Sequence, residues 1–256
     1  MKTFLRIYVI AALVSLVLLP FCCVPARAAD PAKIKSCVAV RAVEPRLPEG
    51  VQRAWGESNK FWPQRATLRV RFLTGTVRQK AEAWKRFQVV DGLVNLTFVQ
   101  VTSGASEIRV RFDAGKGHWS MLGTDCRTVP QSAQTMNLEL KAGIFGDSSA
   151  EWDRVAIHEC LHAVGLDHEH QSPLATGLVW NRAAVYDYYG RTQGWSTQQI
   201  DFQVLNRYSG VYFRGSNFDP HSIMEYPIPA GLANIVVGWN DRLTEIDIRT
   251  VRSFYP

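Results

Sequence analysis

At 256 residues, 46% hydrophobic and 20% charged, the chain has the usage of a folded globular protein, which excludes wholesale disorder and allows one sizeable core. Its formal net charge of +6 comes without any nucleic-acid-binding motif, so it is read as a solvated sheet face, with weak attraction to acidic surfaces as the alternative.

In chain order, MKTFLRIYVIAALVSLVLLPFCCVPARAAD opens on Lys2 and Arg6, runs apolar from Ile7 to Phe21 and ends on Ala26-Arg27-Ala28. This predicts a cleavable secretory signal over residues 1–28 and a secreted or periplasmic product with no stable membrane association. Lipidation at Cys22 or Cys23 and an uncleaved anchor are the alternatives. Cys37, Cys126 and Cys160 then remain, an odd number in a compartment where disulfides persist. Cys37 to Cys126 is the leading pairing, because it pins the N-terminal extension and leaves Cys160 free.

Residues 29–60, with prolines at 31, 45 and 48, read as an irregular extension or pro-segment ahead of one domain over 61–256. Period-two alternation in Leu68, Val70 and Phe72 predicts a strand, and Ala81, Trp84 and Phe87 carry helical spacing from Val77 to about Val90. Strands are predicted at 95–101 and 107–113, with shorter extended pieces at 119–122 and 135–140, making a five-stranded sheet. Arg69, Arg71, Arg109 and Arg111 alternate with the apolar positions and are expected to face water.

Ser148 and Glu151 form a capping-box pattern for a helix that carries Trp152, Val155 and Ala156 and runs to about Val164, with Gly165 as its left-handed stop. Further helices are expected at 181–189, 197–206 and 244–254. A sheet-rich first half and a loop-rich second half would thus bound a cleft, with this helix between them.

The helix contains HECLHAVGLDHEHQSP, residues 158–173. Residues four apart share a helix face, so His158 and His162 can address one ion with Glu159 beside them, and a chain reversal at Gly165 lets His168 add a third nitrogen. Three imidazoles and an open position describe a catalytic zinc rather than a closed structural one. Zinc brings the pKa of bound water to about 7, and Glu159 is suited to take that proton and pass it to a leaving amine.

HExxHxxGxxH, here His158, Glu159, His162, Gly165 and His168, resembles the signature of the metzincin zinc endopeptidases. DPHSIMEYP, residues 219–227, is similar to the Met-turn of that family, and Ser222-Ile223-Met224 followed by Tyr226 resembles the astacin subgroup, as does Glu169. The resemblance implies an α+β metzincin-type fold: a twisted five-stranded mixed sheet, an active-site helix and a loop-rich C-terminal subdomain. It also implies Met224 beneath one zinc ion, Tyr226 as an oxyanion-stabilising phenol, and Glu169 as a contact for the N-terminus made by activation. Trp119 to Leu122 is similar to the family's edge strand, which would pair with an extended peptide substrate. FWPQRATLRVRF and LTEIDIRTVRSFYP resemble the ends of the catalytic domain. His118 stands where that family commonly has cysteine, so its usual bridge pattern is absent.

Cys160 lies about 200° around the helix from His158 and is expected in the core. Cys37 is a candidate latency ligand, a thiolate filling the open zinc position of the precursor. A fourth histidine ligand would close the shell, so His170 and His221 are expected outside it, and His118 as an exposed strand-end residue. The reading is a secreted zinc endopeptidase. The alternatives are a catalytically silent zinc-holding peptide-binding protein and a zinc hydrolase acting on non-peptide amides or cell-wall crosslinks. The loop at 228–240 is expected to shape the substrate pocket.

Overall fold

A mixed sheet, its strand order β1-β5-β6-β4-β2-β3, organises the computed structural model, which describes residues 37–40, 60–207 and 217–256. The strands are β1 (Val38–Val40), β2 (Thr67–Phe72), β3 (Thr97–Gln100), β4 (Ile108–Arg111), β5 (Trp119–Met121) and β6 (Met136–Asn137). All neighbours are parallel except β5 and β6. The helices are α1 (Val77–Asp91), α2 (Ser149–Ala163), α3 (Arg182–Gln193), α4 (Thr197–Ile200) and α5 (Glu245–Phe254). The expected signal at 1–28 and nearly all of the expected extension lie outside the described residues.

The sheet has one strand more than the sequence predicts. The extra one, β1, comes from the extension read as irregular. It is only three residues long, too short for an alternation pattern to reveal, and it forms because β5 offers a sheet edge: Val38 pairs with Trp119 and Val40 with Met121.

Leu68 and Val70 of β2 and Val110 of β4 are fully buried with Ala83, Phe87 and Val90 of α1 and Trp152, Ala156, Leu161 and Val164 on and beside α2. α1 is started by a reciprocal Thr76–Gln79 box. At α2 only half of the expected box forms: Ser148 accepts the Glu151 N–H, while the Glu151 carboxylate turns to Arg154 and the Trp239 indole. A second apolar cluster joins Cys37, Leu178, Val185, Tyr189, Val204, Tyr226 and Ile228.

The arginines expected to face water divide. Arg69 is exposed and pairs with Glu107 at 2.6 Å. Arg109 is 0% exposed and donates to the carbonyls of Ser106 (2.5 Å), Ala133 (2.6 Å) and Cys126 (3.0 Å). Alternation identifies the face opposite the core but says nothing about what covers it; on interior β4 that face is roofed by the turns after β5.

Candidate metal centre

α2 delivers His158 and His162 one turn apart, with ring centroids separated by 4.6 Å. The helix ends at Gly165, whose φ of +100° is a conformation open to glycine, and a Cβ there would sit 2.6 Å from the Phe61 ring. The reversal brings His168 to 4.6 Å from His162 and 5.3 Å from His158, centroid to centroid. The sulfur of Cys37 completes the group: one ligand atom from each of Cys37, His158, His162 and His168 lies within 4.8 Å of the others, all four residues being buried.

The ring orientations are set from outside. His158 Nδ1 bonds the Ile223 carbonyl at 2.7 Å and His162 Nδ1 the Leu166 carbonyl at 2.6 Å. A carbonyl only accepts, so each Nδ1 carries the proton and each Nε2 presents a lone pair inward. His158 Nε2 is buried with no hydrogen-bond partner, and His162 Nε2 approaches His168 Nε2 at 3.1 Å. Inward-facing nitrogen lone pairs are costly in an apolar interior, and a divalent cation removes that cost, so the donor set fits zinc. Burial, with His162 beside it, holds the His158 imidazole below its usual pKa and hence neutral, the form that binds metal.

Glu159 is 0% exposed, and neither carboxylate oxygen has an N–H or O–H donor. Burial raises its pKa to about 8, against the pull of the neighbouring Cys37 thiol and of Arg154. Burial likewise pushes the Cys37 thiol up, helped by the charge of Glu159. Met224 is fully buried in the turn that supplies Ile223, and its carbonyl accepts the Glu169 N–H. Tyr226 is buried with its ring 4.3 Å from that of His168, and its hydroxyl donates to the Cys37 carbonyl. The Glu169 carboxylate accepts the Asp219 N–H at 2.9 Å.

Asp247, which the sequence reading passes over, braces this turn. From the first turn of α5 it accepts the Ser222 hydroxyl at 2.6 Å and the Ile223 N–H at 3.1 Å, and so fixes the carbonyl that orients His158. The Thr244-x-x-Asp247 spacing advertises the helix cap that does form; nothing local in sequence advertises the second duty.

His170 stays outside the ligand group, bonded to Glu225 and to the Gln203 carbonyl, and His221 is exposed. His118, expected exposed, is 4% exposed: its Nδ1 accepts the Glu139 N–H and its carbonyl the Val38 N–H, because β1 covers the strand end. The expected Cys37–Cys126 disulfide does not form. The three cysteines among the described residues are free thiols, with Cys37 drawn to the histidines and Cys126 in the main core. Cys160 is 0% exposed in that core, as its helix phase predicts. β1 lies along Trp119–Met121, the strand expected to receive a peptide, with Leu122 N–H donating to the Val40 carbonyl at 3.1 Å.

No family model and no curated protein matches the chain. Among solved structures, one of myroilysin is 33% identical, covers 79% of this chain and 98% of its own, and superposes with a TM-score of 0.74. A second structure of myroilysin is 31% identical over 90% of this chain and 94% of its own, with a TM-score of 0.63. High choriolytic enzyme 1, a hatching-enzyme zinc protease from the medaka fish Oryzias latipes, is 17% identical over 80% and 98%, with a TM-score of 0.51, a likeness of fold.

Proposed function

The chain belongs to the astacin-like metzincins and is a zinc metalloendopeptidase with one zinc ion, and from that membership we propose how its residues divide the work. His158, His162 and His168 hold the ion. When bound, zinc supplies Lewis acidity, polarising the scissile carbonyl and acidifying a water. Glu159 takes the water's proton as the new C–O bond forms and returns it to the departing amine. Tyr226 swings from its contact with Cys37 to donate its hydroxyl proton in a hydrogen bond to the oxyanion. Met224 and Gly165 serve as packing and as hinge for the ligand set.

The precursor is latent and the enzyme secreted. The Cys37 thiolate would join the three histidines in holding the ion, and β1 occupies the β5 edge along which an extended substrate peptide would lie once the segment is released. Glu169, buried beside the charges of Asp219, Glu225 and Asp247, then receives the amino terminus created by processing.

The observation that carries this reading is the convergence of Cys37 and the three histidines within 4.8 Å, with Glu159 next to His158 on α2. Retention of Glu159 disfavours a silent zinc-holding peptide binder, which has no use for a buried base. Zinc content and hydrolysis of an unstructured protein are the test. Glu159→Gln is expected to keep its zinc and lose about 10²- to 10⁴-fold in kcat/KM; a processed wild type that binds zinc and cleaves nothing would favour the binder.

A further inference from the structure

His170 and Glu225 are both buried, 0% and 4% exposed, and neither belongs to the ligand group. A single carboxylate oxygen, Glu225 Oε1, accepts the Tyr226 N–H at 2.7 Å and meets His170 Nδ1 at 2.9 Å. The far side of the imidazole is anchored too: His170 Nε2 donates to the Gln203 carbonyl at 3.1 Å. Gln203 lies in a π turn, Asp201–Leu205, and the carbonyls of Phe202 within it and Asn206 just after it accept Gln171 Nε2. One chain of bonds therefore runs from a helical carbonyl through His170 and Glu225 to the main chain of Tyr226. The rings follow the same order: the Tyr226 ring sits 4.3 Å from His168 and 4.7 Å from His170, and His170 stacks on His168 at 5.5 Å and 15°.

We propose that His170 and Glu225 are a positioning pair that fixes the pivot of Tyr226, so that its phenol can swing between the Cys37 carbonyl and the reacting oxyanion. The pair touches no substrate and acts only through Tyr226. A phenol on an unbraced backbone would sample many orientations, and a misplaced donor contributes little to a transition state. Burying both groups is costly, and the bonds made by Glu225 Oε1 offset that cost in part, while Oε2 is buried without a partner. The inference rests on the proposed role of Tyr226, and its test separates the two.

Kinetics on the zinc-loaded enzyme freed of its N-terminal segment would compare Tyr226→Phe, His170→Ala and the double variant. His170→Ala is expected to lower kcat on the order of 10- to 100-fold with KM little changed, the usual effect of losing a residue that orients a catalytic group, and to cost less than about twofold in the Tyr226→Phe background. Glu225→Ala should behave as His170→Ala does, while Glu225→Gln, which keeps the amide acceptor, should recover most of kcat. Equal losses in both backgrounds would overturn the pair's role while leaving that of Tyr226 intact; an active Tyr226→Phe enzyme would overturn the role of Tyr226 itself. Hydrogen exchange at the Tyr226 amide of the full-length chain reads the bracing without activity. Protection should fall in His170→Ala and Glu225→Ala and persist in Glu225→Gln, and unchanged protection in all three would refute the proposal even if one variant proved too unstable to assay.

Discussion

Replacing Cys37 by alanine removes the sulfur from the metal centre and leaves the strand that carries it. The side chain sits in an apolar cluster, so alanine is a small and compatible substitute, and thermal stability serves as the control. Besides the β1–β5 ladder itself, three bonds still hold the segment: Val38 N–H to the His118 carbonyl, Leu122 N–H to the Val40 carbonyl, and the Tyr226 hydroxyl to the carbonyl of residue 37. At about 1 kcal/mol net per bond these three alone contribute about 3 kcal/mol, so the occlusion is roughly a hundredfold or more at 1.36 kcal/mol per decade. Unprocessed Cys37→Ala is therefore expected to cleave an unstructured protein at no more than about 1% of the rate of the processed enzyme, and at least about tenfold faster than the unprocessed wild type. Cobalt substitution gives an independent reading, because a thiolate ligand adds a sulfur-to-metal charge-transfer band that the variant must lack. If the unprocessed variant is as silent as wild type, or the two cobalt spectra coincide, the latency argument fails.

Three more outcomes test other parts of the structure. Arg109→Met strands the Ser106, Ala133 and Cys126 carbonyls that the guanidinium serves; a loss of about 3–5 kcal/mol should lower Tm by roughly 10 °C, whereas a change within about 2 °C would return Arg109 to the surface. Gly165→Ala drives a Cβ into the Phe61 ring at a φ of +100°, so a cost of about 1–3 kcal/mol should come with weaker zinc binding in a competition titration, as His168 shifts; unchanged zinc affinity would show that the reversal does not set the ligand. Chelation of zinc should lower Tm and re-addition restore it, by about 2.7 kcal/mol when free zinc is 100 times Kd, and a Tm indifferent to zinc would exclude the histidine cluster as the site.

The metal-binding face was legible because it obeys helix geometry alone: His158, Glu159 and His162 lie on one short periodic segment, Gly165 ends it, and His168 follows within reach. Ring orientation was not legible. It comes from the Ile223 and Leu166 carbonyls, and the first of these is placed by Asp247, 24 residues further on. The five longer-range readings that changed share one cause. β1 and the burial of His118 depend on a distant segment finding a sheet edge, the burial of Arg109 on which turns roof a strand, the free state of Cys37 on its neighbours across the fold, and half of the α2 box on the Trp239 indole that Glu151 prefers.

By itself, then, the sequence determined the elements whose signals are local: helix and strand periods, caps and the histidine register on α2. The tertiary structure alone decided that residues 37–40 return to the β5 edge, that Cys37 rather than a disulfide partner meets the histidines, and that Glu225 ties His170 to Tyr226. Periodicity reports which face of an element is apolar, over distances of a few residues. Which distant group comes to cover that face is a property of the whole packed chain, where unsatisfied edges, buried lone pairs and carboxylates find partners that no local spacing encodes.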